Sequence, residues 1–119
     1  MMGELETAIM RVLWSAHEPL TVRRIFEVLS EDRQLAYTTV MTVLDRLAKK
    51  GRVLRKQEGR AWIYVPATTH SAMVVAEMQS ILEEAGDERN VVLAQFIEGL
   101  AEPQRVHVDR VLRSLNAPV

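Results

Sequence analysis

Apolar residues recur at helical spacing three times before residue 50, and two short β-prone runs around a glycine follow them. Leu5, Ile9, Val12 and Leu13 fall at i, i+4, i+7 and i+8, one face of a first helix. His17-Glu18-Pro19 breaks that pattern, and Thr21 is placed to cap a second helix marked by Val22, Ile25, Phe26 and Leu29. After the polar stretch Ser30-Glu31-Asp32-Arg33-Gln34, the spacing returns at Val40, Val43, Leu44 and Leu47. Lys49-Lys50-Gly51 then supplies cations for the helix dipole and a residue suited to a left-handed C-terminal cap. The runs VLRKQ and AWIYV flank Glu58-Gly59-Arg60 across residues 53–65, a hairpin signal that Pro66 ends. Three helices and a hairpin in this order outline a winged helix-turn-helix.

Helical spacing resumes from about Thr69, with pieces expected over 69–84, 88–100 and 103–115. Thr69 or Ser71 suits the cap of the first, Gly86-Asp87 separates it from the second, and Pro103 suits the first turn of the third. The middle piece carries Val91, Val92, Leu93, Ala94, Phe96, Ile97 and Leu100, apolar around too much of its circumference for a one-sided surface helix. Three short helices cannot bury that much surface alone. A second copy of the chain is the economical cover, with Val92, Leu93, Phe96, Ile97, Val111 and Leu112 as its expected contacts. The expected fold class is therefore mainly α, of the α+β type: a winged helix-turn-helix followed by a helical dimerisation segment. The expected domains are a DNA-binding domain over 1–67 and a three-helix dimerisation domain over 68–119.

Charge divides along the same line. Residues 1–66 hold 11 Lys and Arg against 8 Asp and Glu, whereas residues 67–119 hold 4 against 8. The front part therefore suits a polyanion. On a helical wheel that turns Val40, Val43, Leu44 and Leu47 inward, the opposite face of the third helix presents Thr38, Thr42, Asp45 and Lys49, flanked by Met41 and Arg46. Short hydroxyls near the N-terminal end can meet base edges in a major groove, while cations further along anchor on phosphates. The expected DNA-binding set is Thr38, Thr39, Thr42, Arg46, Lys49, Lys50 and, at the hairpin turn, Arg60. Seven basic residues and one acid, Glu58, occur from Arg46 to Arg60. Asp45 is the discordant member: it either pairs with Lys49 at i+4 or accepts from a cytosine amino group.

Other chemistry finds little support. The chain has no cysteine, which removes disulfides, thiolate metal sites and thiol nucleophiles. His17, His70 and His107 are scattered without the spacing of a metal site, and the acids around Gly86 lack the alternation of a calcium loop. Phosphate-cradling glycine loops and hydrolase motifs are also missing, so no enzyme and no cofactor is expected. Trp14 is expected in the core, and Trp62 and Tyr64, sharing one strand face, are expected to pack inward together. The acidic N-terminus and the lack of a long apolar run point to a cytoplasmic protein. A competing class, a winged helix used for protein assembly, calls for an apolar third-helix face, where only Met41 qualifies.

The run YTTVMTVLDRLAKKGRVLRKQEGRAWIYVP, residues 37–66, together with ELETAIMRVLW and LTVRRIFEVL upstream, resembles the penicillinase repressor family, BlaI/MecI/CopY, and most of all its mycobacterial BlaI-type branch. The resemblance implies a homodimeric repressor that binds inverted repeats with a TACA/TGTA core in double-stranded DNA and blocks β-lactam-resistance promoters. It implies a membrane β-lactam sensor-protease as a further partner, with release by cleavage before a Phe in the second C-terminal helix. That position corresponds here to Gln95-Phe96 in VVLAQFIEG, where staphylococcal members carry Asn in place of Gln95. The copper-sensing branch depends on C-terminal cysteine pairs, which this chain lacks.

Overall fold

The computed structural model describes residues 2–118, so Met1 and Val119, the outer ends of the two expected domains, lie outside it. The elements run α1 (Glu4–Ala16), β1 (Leu20–Thr21), α2 (Val22–Leu29), α3 (Tyr37–Lys49), β2 (Val53–Glu58), β3 (Ala61–Pro66), α4 (His70–Glu84), a 3-10 turn (Gly86–Glu88), α5 (Arg89–Glu98) and α6 (Glu102–Asn116). This is the mainly helical α+β winged fold that the spacing implies. The chain forms two compact units, one ending at Val75 and the other starting at Ala76.

Local chemistry explains the boundaries. α1 stops at His17, whose left-handed backbone (φ 55°) ends the helix just ahead of Glu18-Pro19. Thr21 caps α2 as expected, its hydroxyl oxygen accepting from the Arg24 N–H at 3.1 Å. α3 closes in a Schellman motif: the Gly51 N–H donates to the Ala48 carbonyl at 3.0 Å and the Arg52 N–H to that of Leu47 at 2.9 Å. Gly51 takes φ +73°, a conformation in which a side chain is strained. In the hairpin, Gly59 (φ +63°) and Arg60 are the two turn residues, and positive φ at Gly59 alone makes the turn type II′. Thr69 caps α4, accepting from the Ala72 N–H at 3.1 Å, and Pro103 lies in the first turn of α6.

The sheet has the antiparallel order β1-β3-β2. β1 is an addition to the sequence reading, which counted only two strands. Its two residues pair Leu20 with Tyr64 and Thr21 with Ile63, which makes β3 the central strand and ties the hairpin to the root of α2. A two-residue strand leaves no periodicity to detect.

One core holds the first unit together. α1 contributes Ile9, Met10 and Leu13, α2 contributes Ile25 and Leu29, and α3 contributes Val40, Val43, Leu44 and Leu47. Val53, Tyr64 and Met73 close it from the hairpin and from α4. Each fully buried side chain of this kind stabilises by about 1.5–3 kcal/mol relative to exposure. Trp14 is only partly buried at the edge of this core: its Nε1–H donates to the Thr68 carbonyl at 2.9 Å and its ring lies 4.7 Å from that of His70. The expected inward pairing of Trp62 with Tyr64 is corrected. Tyr64 is 3% exposed but Trp62 is 43% exposed, because the strand runs past the core between them.

In the second unit the apolar side chains of α5 and α6 stay exposed, Val92, Leu93, Phe96, Val111 and Leu112 among them, and Ile97 is half-buried.

Leu44→Ala should lower unfolding free energy by about 2–5 kcal/mol, because Leu44 is fully buried in this core. Gly51→Ala should cost about 1–2 kcal/mol through its left-handed backbone alone, since nothing lies near the added methyl. Urea midpoints with unchanged slopes report both.

Candidate nucleic-acid interface

α3 is held in rotation by its buried stripe, and that stripe decides what the helix shows. With Val40, Val43, Leu44 and Leu47 inside, Thr38, Thr39, Met41, Thr42, Arg46 and Lys49 are exposed and Asp45 is half-exposed. The start of the helix is pinned to α2: Tyr37 meets Phe26 edge-on at 5.5 Å between ring centroids, and the Arg23 guanidinium lies 4.8 Å over the Tyr37 ring. No side chain caps the α3 N-terminus, which follows Ala36.

The Thr42 hydroxyl donates to the Thr38 carbonyl at 2.9 Å, the back-bond of a helical threonine. Its proton is thereby committed to the helix, leaving a lone pair and a methyl group on the exposed face. Arg46 forms no salt bridge among the described residues, and neither do Lys56 on β2 or Arg60 at the turn; all three are exposed.

Asp45 pairs twice. Its Oδ2 lies 3.0 Å from the Lys49 Nζ, the i+4 partner anticipated from sequence, and its Oδ1 accepts from the Arg55 Nη1 at 2.9 Å. The hydrogen bonds from Lys49 and then from Arg55 hold the Asp45 carboxyl below its ordinary range. A carboxyl whose pKa is lowered in the folded state strengthens the fold at pH above its ordinary, unfolded value. That contribution disappears as pH falls through the lower folded value, so the pairing is complete at neutral pH. Arg55 also lies 5.1 Å over the Trp62 ring, on the hairpin face that β-alternation shares with buried Val53. That alternation was a usable sequence signal for Arg55, which drew no site assignment of its own.

Lys50 is used differently from Lys49. Its Nζ lies 3.2 and 3.3 Å from the two carboxylate oxygens of Glu6 on α1, a side chain that is nearly buried. The structure thus brings Thr38, Thr39, Thr42, Arg46 and Lys49 onto one exposed surface, holds Arg60 at the hairpin tip, and commits the Lys50 ammonium to fixing α1 against the end of α3. The residues marked for dimerisation and for cleavage lie in the second unit, on α5 and α6.

A three-helix unit with a hairpin wing, carrying hydroxyls and cations on the exposed face of its third helix, defines the winged-helix class of DNA-binding domains. The chain belongs to the penicillinase repressor family, whose family model matches residues 2–114. That family comprises transcriptional repressors, not enzymes. Among its relatives, the transcriptional regulator BlaI of Mycobacterium tuberculosis strain H37Rv is 43% identical over 118 residues, 98% of this chain and 86% of that protein. The penicillinase repressor of Bacillus licheniformis is 29% identical over 80 residues, 67% of this chain and 62% of its own length. The solution structure of the DNA-binding domain of the repressor BlaI superposes with a TM-score of 0.54 at 30% identity, covering 60% of this chain and 85% of that one.

Lys50→Ala should destabilise by about 1–2 kcal/mol, because it leaves the nearly buried Glu6 carboxylate unpaired. Lys49→Ala, at an exposed pair, should stay within about 0.5 kcal/mol of wild type. Urea denaturation of the two variants side by side separates these roles.

Proposed function

We propose that the protein represses transcription as a homodimer, with α3 of each protomer entering the major groove at one half of an inverted-repeat operator. The carrying observation is the exposed α3 face, where Thr38 and Thr42 precede Arg46 and Lys49. Because the Thr42 hydroxyl proton is held by Thr38, Thr42 meets bases as an acceptor for an adenine or cytosine amino group, or through its methyl against a thymine methyl. Thr39 sits beside this pair near the uncapped helix start, where backbone N–H groups suit a phosphate. Arg46, Lys49 and the wing residue Arg60 anchor register on the backbone. Lys50 contributes less directly, by fixing the helix end through Glu6.

The family resemblance extends this reading. It points to operators with a TACA/TGTA core at β-lactam-resistance and related genes, and to release through a membrane β-lactam sensor-protease acting at Gln95-Phe96. That bond lies inside α5, so cleavage requires local unwinding of the helix. Val92, Leu93, Phe96, Ile97, Val111 and Leu112 form the apolar surface of the dimer contact. We assign the 1–67 segment to DNA binding, the 68–119 segment to dimerisation, and the cytoplasm as the place of action. No helix among the described residues is long and apolar enough to cross a membrane.

Salt titration tests the DNA contact. The affinity should fall with a log-log slope of about −6 to −10, as counterions leave six to ten phosphates; a slope near zero contradicts the proposal. Thr42→Ala should alter which sequences are preferred, whereas Arg60→Ala, at an exposed wing cation, should weaken all duplexes about equally. Phe96→Asp should sediment as a monomer and bind operator more weakly, because each half-site contact depends on linkage to the other.

A further inference from the structure

An acid on a DNA-facing surface opposes phosphate, so Asp45 needs a reason to be there. Its two partners come from different elements. Lys49 belongs to α3, one turn on, while Arg55 belongs to β2, beyond the end of α3. Each carboxylate oxygen takes one cation, at 3.0 and 2.9 Å. Arg55 is gripped on its other side by the Trp62 ring of β3, its diagonal cross-strand neighbour, two positions from its register partner Tyr64. The continuous chain Lys49–Asp45–Arg55–Trp62 therefore spans the helix and both strands of the wing. Beneath this exposed chain, α3 and the wing also meet through the Gly51 turn and in the core, where Val53 and Tyr64 close over the α3 stripe.

We propose that Asp45 is a positioning residue for sequence discrimination: by bridging Lys49 to Arg55 it fixes the wing relative to the recognition helix, and it holds back the cationic surface from phosphates that are not in register. This rests on the DNA-binding reading above. A duplex that fits α3 supplies a phosphate to Lys49 in exchange for Asp45, and Arg55 keeps the carboxylate paired. A duplex that does not fit meets an intact anion. Asp45 thereby costs affinity everywhere and costs least at the correct site.

A geometric role and a merely electrostatic one separate through two variants of opposite charge effect. Asp45→Asn removes a negative charge, whereas Arg55→Gln removes a positive one; both break the bridge while altering exposed groups. Full-length wild type and each variant are used to enrich a library of randomised duplexes, and affinities for the enriched and unselected pools are read by fluorescence anisotropy across a salt series. Asp45→Asn should bind the unselected pool about 3- to 10-fold more tightly, with a salt slope steeper by about one. Arg55→Gln should bind that pool more weakly. Both should lose about tenfold in the ratio of selected to unselected affinity and enrich a less defined motif, with melting temperatures near wild type confirming that they fold. If Asp45→Asn strengthens both pools equally, or Arg55→Gln keeps the full ratio, the bridge does not position the wing and the proposal fails alone. If the wild type enriches no motif, the DNA reading fails and takes the proposal with it.

Discussion

Burial of Val40, Val43, Leu44 and Leu47 against α1 and α2 is the contact on which the rest depends. A helix has little intrinsic preference for which side faces water; tertiary packing of its apolar stripe decides. Here the stripe fixes the rotation of α3, and with it the direction of every side chain on the opposite face. The aromatic contact of Tyr37 with Phe26 and the ion pair of Lys50 with Glu6 then hold the two ends of the helix. Polar chemistry on the exposed face is accurate because apolar chemistry beneath it permits one arrangement.

The same stripe explains why so much of the molecule was legible in the sequence. Helical spacing is a local signal, as are the Thr21 cap, Gly51 after two lysines, and Gly59 in the hairpin turn, and each stands where the spacing put it. What escaped was nonlocal. β1 exists because Leu20 and Thr21 meet Tyr64 and Ile63, more than forty positions away, and two residues carry no pattern. Trp62 and Tyr64 share a face by alternation, but alternation does not say how far along β3 the core reaches.

Charged residues were the least readable, since their partners depend on tertiary distance. The i+4 spacing suggested Lys49 for Asp45; alternation along β2 places Arg55 on the face of Val53, but nothing local pairs it with an acid ten positions back. Lys49 and Lys50 are neighbours of one type with different employment, one at the exposed face and one holding Glu6. The apolar excess of α5 was legible as composition, and its side chains are indeed open to solvent within their own unit. Its cover by a second copy belongs to the proposed dimer.

The two tryptophans of the chain occupy different stations. Trp14 is half-buried, hydrogen-bonded through its indole N–H and stacked near His70 at the root of α4, whereas Trp62 stands on the wing beneath a guanidinium. The intrinsic fluorescence of the protein is therefore a sum of one emitter in a packed joint and one at the proposed DNA surface. An exposed indole is open to collisional quenchers and shifts on contact with a duplex, while a packed one responds to loosening of the fold. The molecule carries its own pair of optical reporters, one for engagement and one for integrity.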